Sequence, residues 1–162
     1  MSNSQAITGT IAQKVETLQQ IDRSWANLLD ALDGVPAESG AEPGACGEWS
    51  VKDLAGHIAF WASQAGPIAT RQASAAPKPE GDNDGGSDGG TDFQAINEEV
   101  AAKNSARSYD DLTRELHETH QQMVETLRNL PTLDPDWVAG NTFEHYDEHA
   151  AEIREWRRQR GA

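Results

Sequence analysis

The chain has 162 residues, enough for one domain with a continuous core, and 27 acidic against 13 basic side chains give it a formal net charge of -14. This charge repels nucleic acid phosphates and anionic membrane surfaces, so neither is expected as a partner. The first thirty residues hold no long apolar run, and the single cysteine, Cys46, is expected to be a free loop thiol. The prediction is one cytoplasmic domain over residues 1–162.

The first two predicted helices carry apolar residues at a spacing of three and four. In the first helix these residues are Ile11, Val15, Leu18, Ile21, Trp25, Leu28 and Leu32, and the helix is expected to end before Gly34 and Pro36. In the second they are Val51, Leu54, Ile58, Trp61 and Ala65. Ser50 is the predicted N-cap of this helix, with Asp53 at the capping-box position. The helix should stop near Pro67 or continue briefly past a kink.

Residues 72–92 are rich in Asp and Gly and almost free of apolar side chains, which predicts a flexible insertion. Calcium binding by this segment is disfavoured, because it lacks the glutamate that closes an EF-hand loop. A short helix from Phe93 and a longer one capped by Ser108 should follow, and Pro131 should end the longer one.

The last helix is predicted to start after a polar loop that contains Trp137. The Asn141 side chain can cap this helix, with Glu144 at the third helical position. No segment shows the alternation of a β-strand. The sequence therefore predicts an all-α four-helix bundle with the insertion between its second and third helices.

Two histidines of the last helix are the strongest candidates for chemistry. His145 and His149 are four residues apart, which places both imidazoles on one helix face. Thr142, Ile153 and Trp156 share this face, so it should pack into the core. A buried imidazole without a partner costs about 1–3 kcal/mol, so this face requires hydrogen-bond acceptors, a metal or a polar pocket. For the pair alone, core histidines and metal ligands are equally good interpretations.

A third histidine, His57, lies at the edge of the apolar stripe of the second helix, between Leu54 and Trp61. Three histidines from two helices, with one position left open to water, match the ligand count of a catalytic zinc or nickel site. A metal site or a polar catalytic pocket then becomes the favoured interpretation.

Several other side chains are candidates for supporting roles near these histidines. Glu148 and Glu152 flank the histidine face and can orient an imidazole or act as a base, although a solvated helix flank is the commoner role. Of the two, Glu152 is the one we include among the predicted catalytic residues. The predicted substrate pocket is lined by Trp61, His120, Trp137 and Tyr146.

Two segments of the chain resemble the DinB-like superfamily, which includes YfiT-like and mycothiol-dependent maleylpyruvate isomerase-like proteins. The first runs from Trp49 to Trp61, and the second is Asn141-Thr142-x-x-His145-Tyr146-x-x-His149-x-x-x-Ile153-x-x-Trp156. The second segment is most similar to the ClbS/DfsB branch. The resemblance implies a four-helix bundle, often with a divalent metal on a histidine triad whose positions map onto His57, His145 and His149.

The resemblance implies more than one kind of activity. Many DinB-like proteins depend on a metal, and some use a low-molecular-weight thiol such as mycothiol or bacillithiol. The ClbS-like branch is associated with hydrolytic opening of an electrophilic cyclopropane, which need not use a metal. The leading hypothesis is a hydrolase or thiol transferase for a small electrophile, with zinc, nickel or iron and a thiol as candidate cofactors.

Three alternatives remain open at this point. The chain is a metal-free hydrolase of the ClbS type, a non-catalytic protein that sequesters a small molecule, or a purely structural bundle. A homodimer is a candidate assembly, because helix faces of such bundles are apolar.

Overall fold

The computed structural model describes residues 2–74 and 92–161, with side chains from residue 11 onward. Its helices are α1 (Ser2–Leu32), α2 (Ala37–Gly40), α3 (Val51–Ser74), α4 (Phe93–Asn104), α5 (Tyr109–Arg128), α6 (Pro135–Val138) and α7 (Phe143–Gln159). A 3₁₀ turn at Ala139–Asn141 joins α6 to α7. These two stretches contain no β-strand, which confirms the predicted all-α bundle, and none of their helices is long and apolar enough to cross a membrane.

Helices α1 and α7 lie side by side and run in the same direction. The Ser24 hydroxyl donates to the Asp147 carboxylate near the start of α7, and further along Arg154 donates to Asp30. The Arg157 guanidinium then donates to two carbonyl groups at the end of α1. Positive charge at a helix C-terminus is favourable because it meets the negative end of the helix dipole.

Helices α3 and α5 also run in the same direction as each other, and together they run opposite to α1 and α7. Gly56 packs against Leu112 near the starts of α3 and α5, and Gly66 packs against Thr126 near their ends. Parallel neighbours need a long connection, which the segment containing α4 supplies.

The core fills the space between these four helices. Its largest fully buried side chains are Ile21, Leu28, Leu54, Ile58, Leu112, Leu116, Leu127, Leu133, Tyr146 and Ile153. Ile21, Leu28, Leu54, Ile58 and Ile153 occupy the apolar stripes expected from the sequence. The spacing of apolar residues therefore predicted the buried face of α3 and of the second half of α1, but Ile11 and Val15, at the start of the predicted α1 stripe, are exposed.

The predicted caps of α3 and α5 are confirmed. Ser50 Oγ accepts from the Asp53 backbone N–H at 3.1 Å, and the Asp53 carboxylate accepts from the Ser50 backbone N–H at 2.9 Å. This reciprocal pair is a capping box. Ser108 Oγ likewise accepts from the Asp111 backbone N–H at 3.0 Å.

The segment after α3 begins later than predicted. α3 continues past Pro67 and ends at Ser74, so the helix does not stop near the proline. The Asp92 side chain caps α4 by accepting from a backbone N–H of its first turn. The rest of the insertion predicted at 72–92, residues 75–91, lies outside the described residues.

Two local predictions before α7 are wrong. Asn141 does not cap α7, whose N-cap position is Thr142 with no side-chain hydrogen bond. The 3₁₀ turn directs the Asn141 amide toward α3 instead, where it donates to the Trp61 carbonyl oxygen at 2.9 Å. Trp137 lies on the one-turn helix α6 and not in a loop, because an aspartate cap starts a helical turn there.

Candidate metal centre

Helices α3 and α7 run in opposite directions and bring the three predicted histidines together. Asn141 contacts Trp61 at one end of this contact, and the rings of His149 and His57 meet further along. Nε2 of His145 lies 2.9 Å from Nε2 of His57 and 2.8 Å from Nε2 of His149. One possible ligand atom from each of the three residues lies within 4.8 Å of the others. The fold thus gathers three imidazole nitrogens around one point.

Glu152 orients one of these rings. Its Oε2 lies 2.8 Å from Nδ1 of His149, and the two side chains are 30% and 8% exposed. A carboxylate at neutral pH only accepts hydrogen bonds, so Nδ1 of His149 carries the proton and donates it. Nε2 of His149 then presents its lone pair to the other two rings. A carboxylate bonded to the far nitrogen in this way is typical of histidines that bind a metal.

Burial keeps the other two rings neutral. Burial, together with the neighbouring His149, lowers the pKa of His57 to about 4. Burial, together with His149 and His57, lowers the pKa of His145 to about 3. Metal binding requires neutral imidazole, so at neutral pH both rings are in the form that can act as ligands.

The donor set fits a divalent metal of the first transition row. Glu152 keeps the proton of His149 on Nδ1, so Nε2 of His149 can only accept a hydrogen bond. Nε2 of His145 can donate that bond if it carries a proton. It then has no lone pair left to accept a hydrogen bond from His57. Hydrogen bonds within the triad therefore leave one contact unsatisfied, whereas one cation accepts a lone pair from each ring. Tetrahedral zinc with bonds of 2.0–2.1 Å sets its nitrogens about 3.3 Å apart, so binding would spread the rings by about half an ångström.

Two ring nitrogens at the site have no hydrogen-bond partner in the described part of the chain. They are Nδ1 of His57 and Nδ1 of His145, and both are buried. A buried polar atom without a partner costs about 1–3 kcal/mol. Both atoms lie on the far side of their rings from the converging Nε2 atoms, so a metal held by Nε2 would not pair them.

A loop before α3 lies against one side of the triad. This contact was not predicted from the sequence. Trp49 exchanges backbone hydrogen bonds with Cys46, and the Trp49 ring lies 5.0 Å from the His57 ring. Burial and, next, the Glu152 carboxylate raise the pKa of Cys46 to about 11. The thiol is therefore protonated and unactivated, as expected, but it lies beside the site. The feature of the sequence that could have predicted this contact is the position of Trp49, directly before the N-cap residue of α3.

The four predicted pocket residues have their closest contacts elsewhere in the bundle. Trp61 faces α4, where its Nε1 donates to Asn97 Oδ1 at 2.7 Å. Tyr146 is fully buried, and its hydroxyl lies 2.9 Å from Nδ1 of His120. Trp137 is half-buried against the hydrophobic core. Among the described residues, no ring contact joins these four side chains to the histidine triad.

A surface cleft lies beside Glu152, and none of the three histidines lines it. Its volume is about 300 Å³, and it is lined by Gly44, Ala45, Ala151, Glu152, Glu155, Trp156 and Gln159. Glu152 thus touches the cleft through its exposed part and His149 through Oε2. Glu148, the other predicted flanking glutamate, is exposed. Of the two glutamates, Glu152 is the one that both contacts a triad histidine and lines the cleft.

Comparisons with known proteins extend over nearly the whole chain. The sequence family described as mycothiol maleylpyruvate isomerase N-terminal domain matches residues 21–160. An uncharacterised protein from Escherichia coli UTI89 has a similar structure, with a TM-score of 0.69, 19% identity and coverage of 92% of this chain and 95% of that chain. No curated protein matches the sequence.

The colibactin self-resistance protein ClbS, solved in complex with a double-stranded DNA, is also similar. Its TM-score is 0.66 at 15% identity, and the match covers 88% of this chain and 93% of that chain. At this identity the likeness shows the fold alone. The DNA complex is in tension with the absence of a nucleic acid partner expected from a net charge of -14, but it is a property of ClbS.

Proposed function

Because the chain belongs to the mycothiol maleylpyruvate isomerase N-terminal domain family, within the DinB-like superfamily, we propose that it is a metal-dependent enzyme acting on a small electrophile. The reaction is hydrolysis or thiol transfer at a site formed by His57, His145 and His149. The observation that carries the proposal is the convergence of three Nε2 atoms, with Glu152 fixing the tautomer of His149.

Each residue of the site has a distinct role in this proposal. His57, His145 and His149 would hold a divalent zinc, nickel or iron ion. The ion supplies Lewis acidity, which lowers the pKa of a water molecule or thiol toward neutrality. Glu152 accepts the Nδ1 proton of His149 in a hydrogen bond, which increases the basicity of that ligand. Its exposed part reaches the cleft, where it can take a proton from the nucleophile.

The cleft beside Glu152 favours neutral or cationic electrophiles. Glu152 and Glu155 line it with negative charge, while Trp156 contributes an aromatic surface. The net charge of -14 acts in the same direction, because it repels anionic molecules from the whole surface. We therefore expect substrates with an apolar part and without a carboxylate or phosphate.

Metal analysis tests the histidine triad. Protein purified without an affinity tag should contain close to one equivalent of a divalent metal by mass spectrometry. Single His57→Ala, His145→Ala and His149→Ala variants should lose it while keeping their helical circular dichroism. His117→Ala is the matched control, since His117 is an exposed histidine of α5. Metal retained in all three triad variants would contradict the proposal.

Turnover separates an enzyme from a protein that only sequesters its ligand. A simple epoxide such as styrene oxide is supplied in excess, with water alone or with N-acetylcysteine. An enzyme consumes many equivalents, whereas a sequestering protein stops at one. Loss of turnover in His145→Ala would assign the reaction to the triad.

A metal-free hydrolase is the second candidate function. The separations of 2.8 and 2.9 Å between Nε2 atoms are hydrogen-bond distances, so one of the two contacts can be a hydrogen bond between neutral rings without a metal. ClbS, described as a self-resistance protein, has the same fold. Continued consumption of epoxide by protein that takes up no zinc, nickel or iron(II) would select this candidate.

A further inference from the structure

A second cleft lies on a different face of α3 from the one that carries His57. It has a volume of about 230 Å³ and lies between α3, α4 and α5. Ala59, Phe60 and Val100 give it an apolar wall, and Asn104 and Arg107 give it a polar end. None of the triad residues lines this cleft.

The polar end of the cleft contains a buried amide with an unused donor. Asn104 is only 8% exposed, and its Oδ1 accepts from the Arg107 guanidinium at 3.2 Å. Because Arg107 can only donate, this bond fixes which way the amide is turned. Nδ2 then lies over Gly56, where an added Cβ would be 2.6 Å away. Nδ2 has no acceptor among the described residues, and it is not one of the fully buried atoms that lack a partner, so this N–H is accessible from the cleft.

Gly56 is what makes room for this amide nitrogen. Glycine within a helix is about 1 kcal/mol less favourable than alanine, so its presence at a buried position of α3 needs a reason. The close approach of Asn104 supplies one. The helix thus leaves space for a donor that the protein itself does not use.

The charge at this end of the cleft is positive in a strongly acidic protein. Lys103 and Arg107 line it together with one carboxylate, that of Glu115, which pairs with Arg107 at 2.7 Å. Lys52 donates to the backbone carbonyls of Ser105 and Arg107, which fixes the turn that carries the guanidinium. Lys103 also pairs with Glu99 at 3.1 Å, so Lys52, which has no carboxylate partner among the described residues, supplies the excess positive charge at this turn of a chain whose net charge is -14.

We propose that this cleft binds a small carboxylate attached to an apolar group. One carboxylate oxygen accepts the free N–H of Asn104, and the excess positive charge of the turn held by Lys52 balances the carboxylate. The apolar group packs against Phe60 and Val100. The site is independent of the histidine triad, so it would bind its ligand in protein that lacks metal.

Benzoate is a suitable probe, with benzylamine and benzamide as cationic and neutral controls of the same size. In the full-length ¹⁵N-labelled protein, benzoate should shift the Asn104 side-chain amide signals and the backbone signal of Gly56. Benzylamine should shift neither signal. Asn104→Asp has nearly the same shape but replaces the donor with a carboxylate, so we expect benzoate affinity to fall at least tenfold.

Two further variants keep the test decisive. Ser63→Trp fills the cleft from its exposed edge and should abolish the benzoate shifts even if Asn104→Asp folds poorly. His145→Ala should bind benzoate as the unmodified chain does. Equal shifts from benzylamine, undiminished binding in both cleft variants, or loss of binding in His145→Ala would each overturn the proposal.

Discussion

Glu152 Oε2 lies 2.8 Å from Nδ1 of His149, while Nε2 of the same ring faces His145 at 2.8 Å. Glu152 follows His149 by three residues, so the helix itself places the carboxylate beside the ring. One helix, α7, therefore carries two candidate ligands and the group that orients one of them. His57 on α3 completes the set.

Glu152→Ala should weaken metal binding about 10–100-fold, because His149 loses the acceptor that fixes its tautomer and increases its basicity. Glu152→Gln should have a smaller effect, since an amide oxygen can still accept the same hydrogen bond. Competition with a chromophoric chelator measures both affinities. Glu148→Ala is the control, because Glu148 is exposed on the same helix. Equal affinities in the Glu152 and Glu148 variants would show that Glu152 has no special role.

Tyr146→Phe should reduce the free energy of unfolding by about 1–3 kcal/mol, because it leaves Nδ1 of the buried His120 without its partner. Urea unfolding measures the change. The other tyrosine provides the comparison, since the Tyr109 hydroxyl makes no hydrogen bond within the described residues. We expect Tyr109→Phe to change stability by less than Tyr146→Phe. The reverse order would contradict the role assigned to the Tyr146 hydroxyl.

His120 should make the protein sensitive to acid. Burial and, next, the neighbouring His117 lower its pKa to about 4, below the value of about 6.5 in an unfolded chain. A lowered histidine pKa means that this contribution to stability is complete above pH 6.5 and is lost as the pH falls toward 4. The full effect is on the order of 3 kcal/mol.

The His120→Asn variant isolates this contribution, because asparagine can bond to Tyr146 but does not titrate. His57 and His145 titrate in an overlapping range, so the informative quantity is the difference between the two proteins. Urea unfolding at pH 7.5, 6.0 and 5.0 should show stability falling less steeply in the variant. Parallel curves would mean that His120 does not contribute.

Helix periodicity explains why much of the site could be predicted. The spacing of His145 and His149, and the place of His57 beside the apolar stripe of its helix, depend only on residues within one helix. The caps at Ser50 and Ser108 are equally local. These features need no knowledge of how the helices pack.

Contacts between distant segments were the part that could not be predicted. Trp61 lies on an apolar stripe, but the placement of α4 turns its ring toward Asn97. Asn141 is a good cap by residue type, but a 3₁₀ turn gives its amide a partner on α3. The approach of Cys46 to the site depends on a glycine-rich loop whose path no periodicity describes. In each case tertiary packing outweighed the local structural preference of the residue.

Gly56→Ala should destabilise the protein by about 1–3 kcal/mol, although the same change in an open helix stabilises by about 1 kcal/mol. The new Cβ would lie 2.6 Å from Asn104 Nδ2, and the hydrogen bond to Arg107 restrains that amide. Gly140→Ala is the matched control, because nothing lies within 4 Å of its Cβ position, and it should stabilise by about 0.4–1 kcal/mol. Urea unfolding compares the two variants. A Gly56→Ala protein as stable as the Gly140→Ala protein would show that Asn104 moves freely, and the amide could not then be a fixed donor.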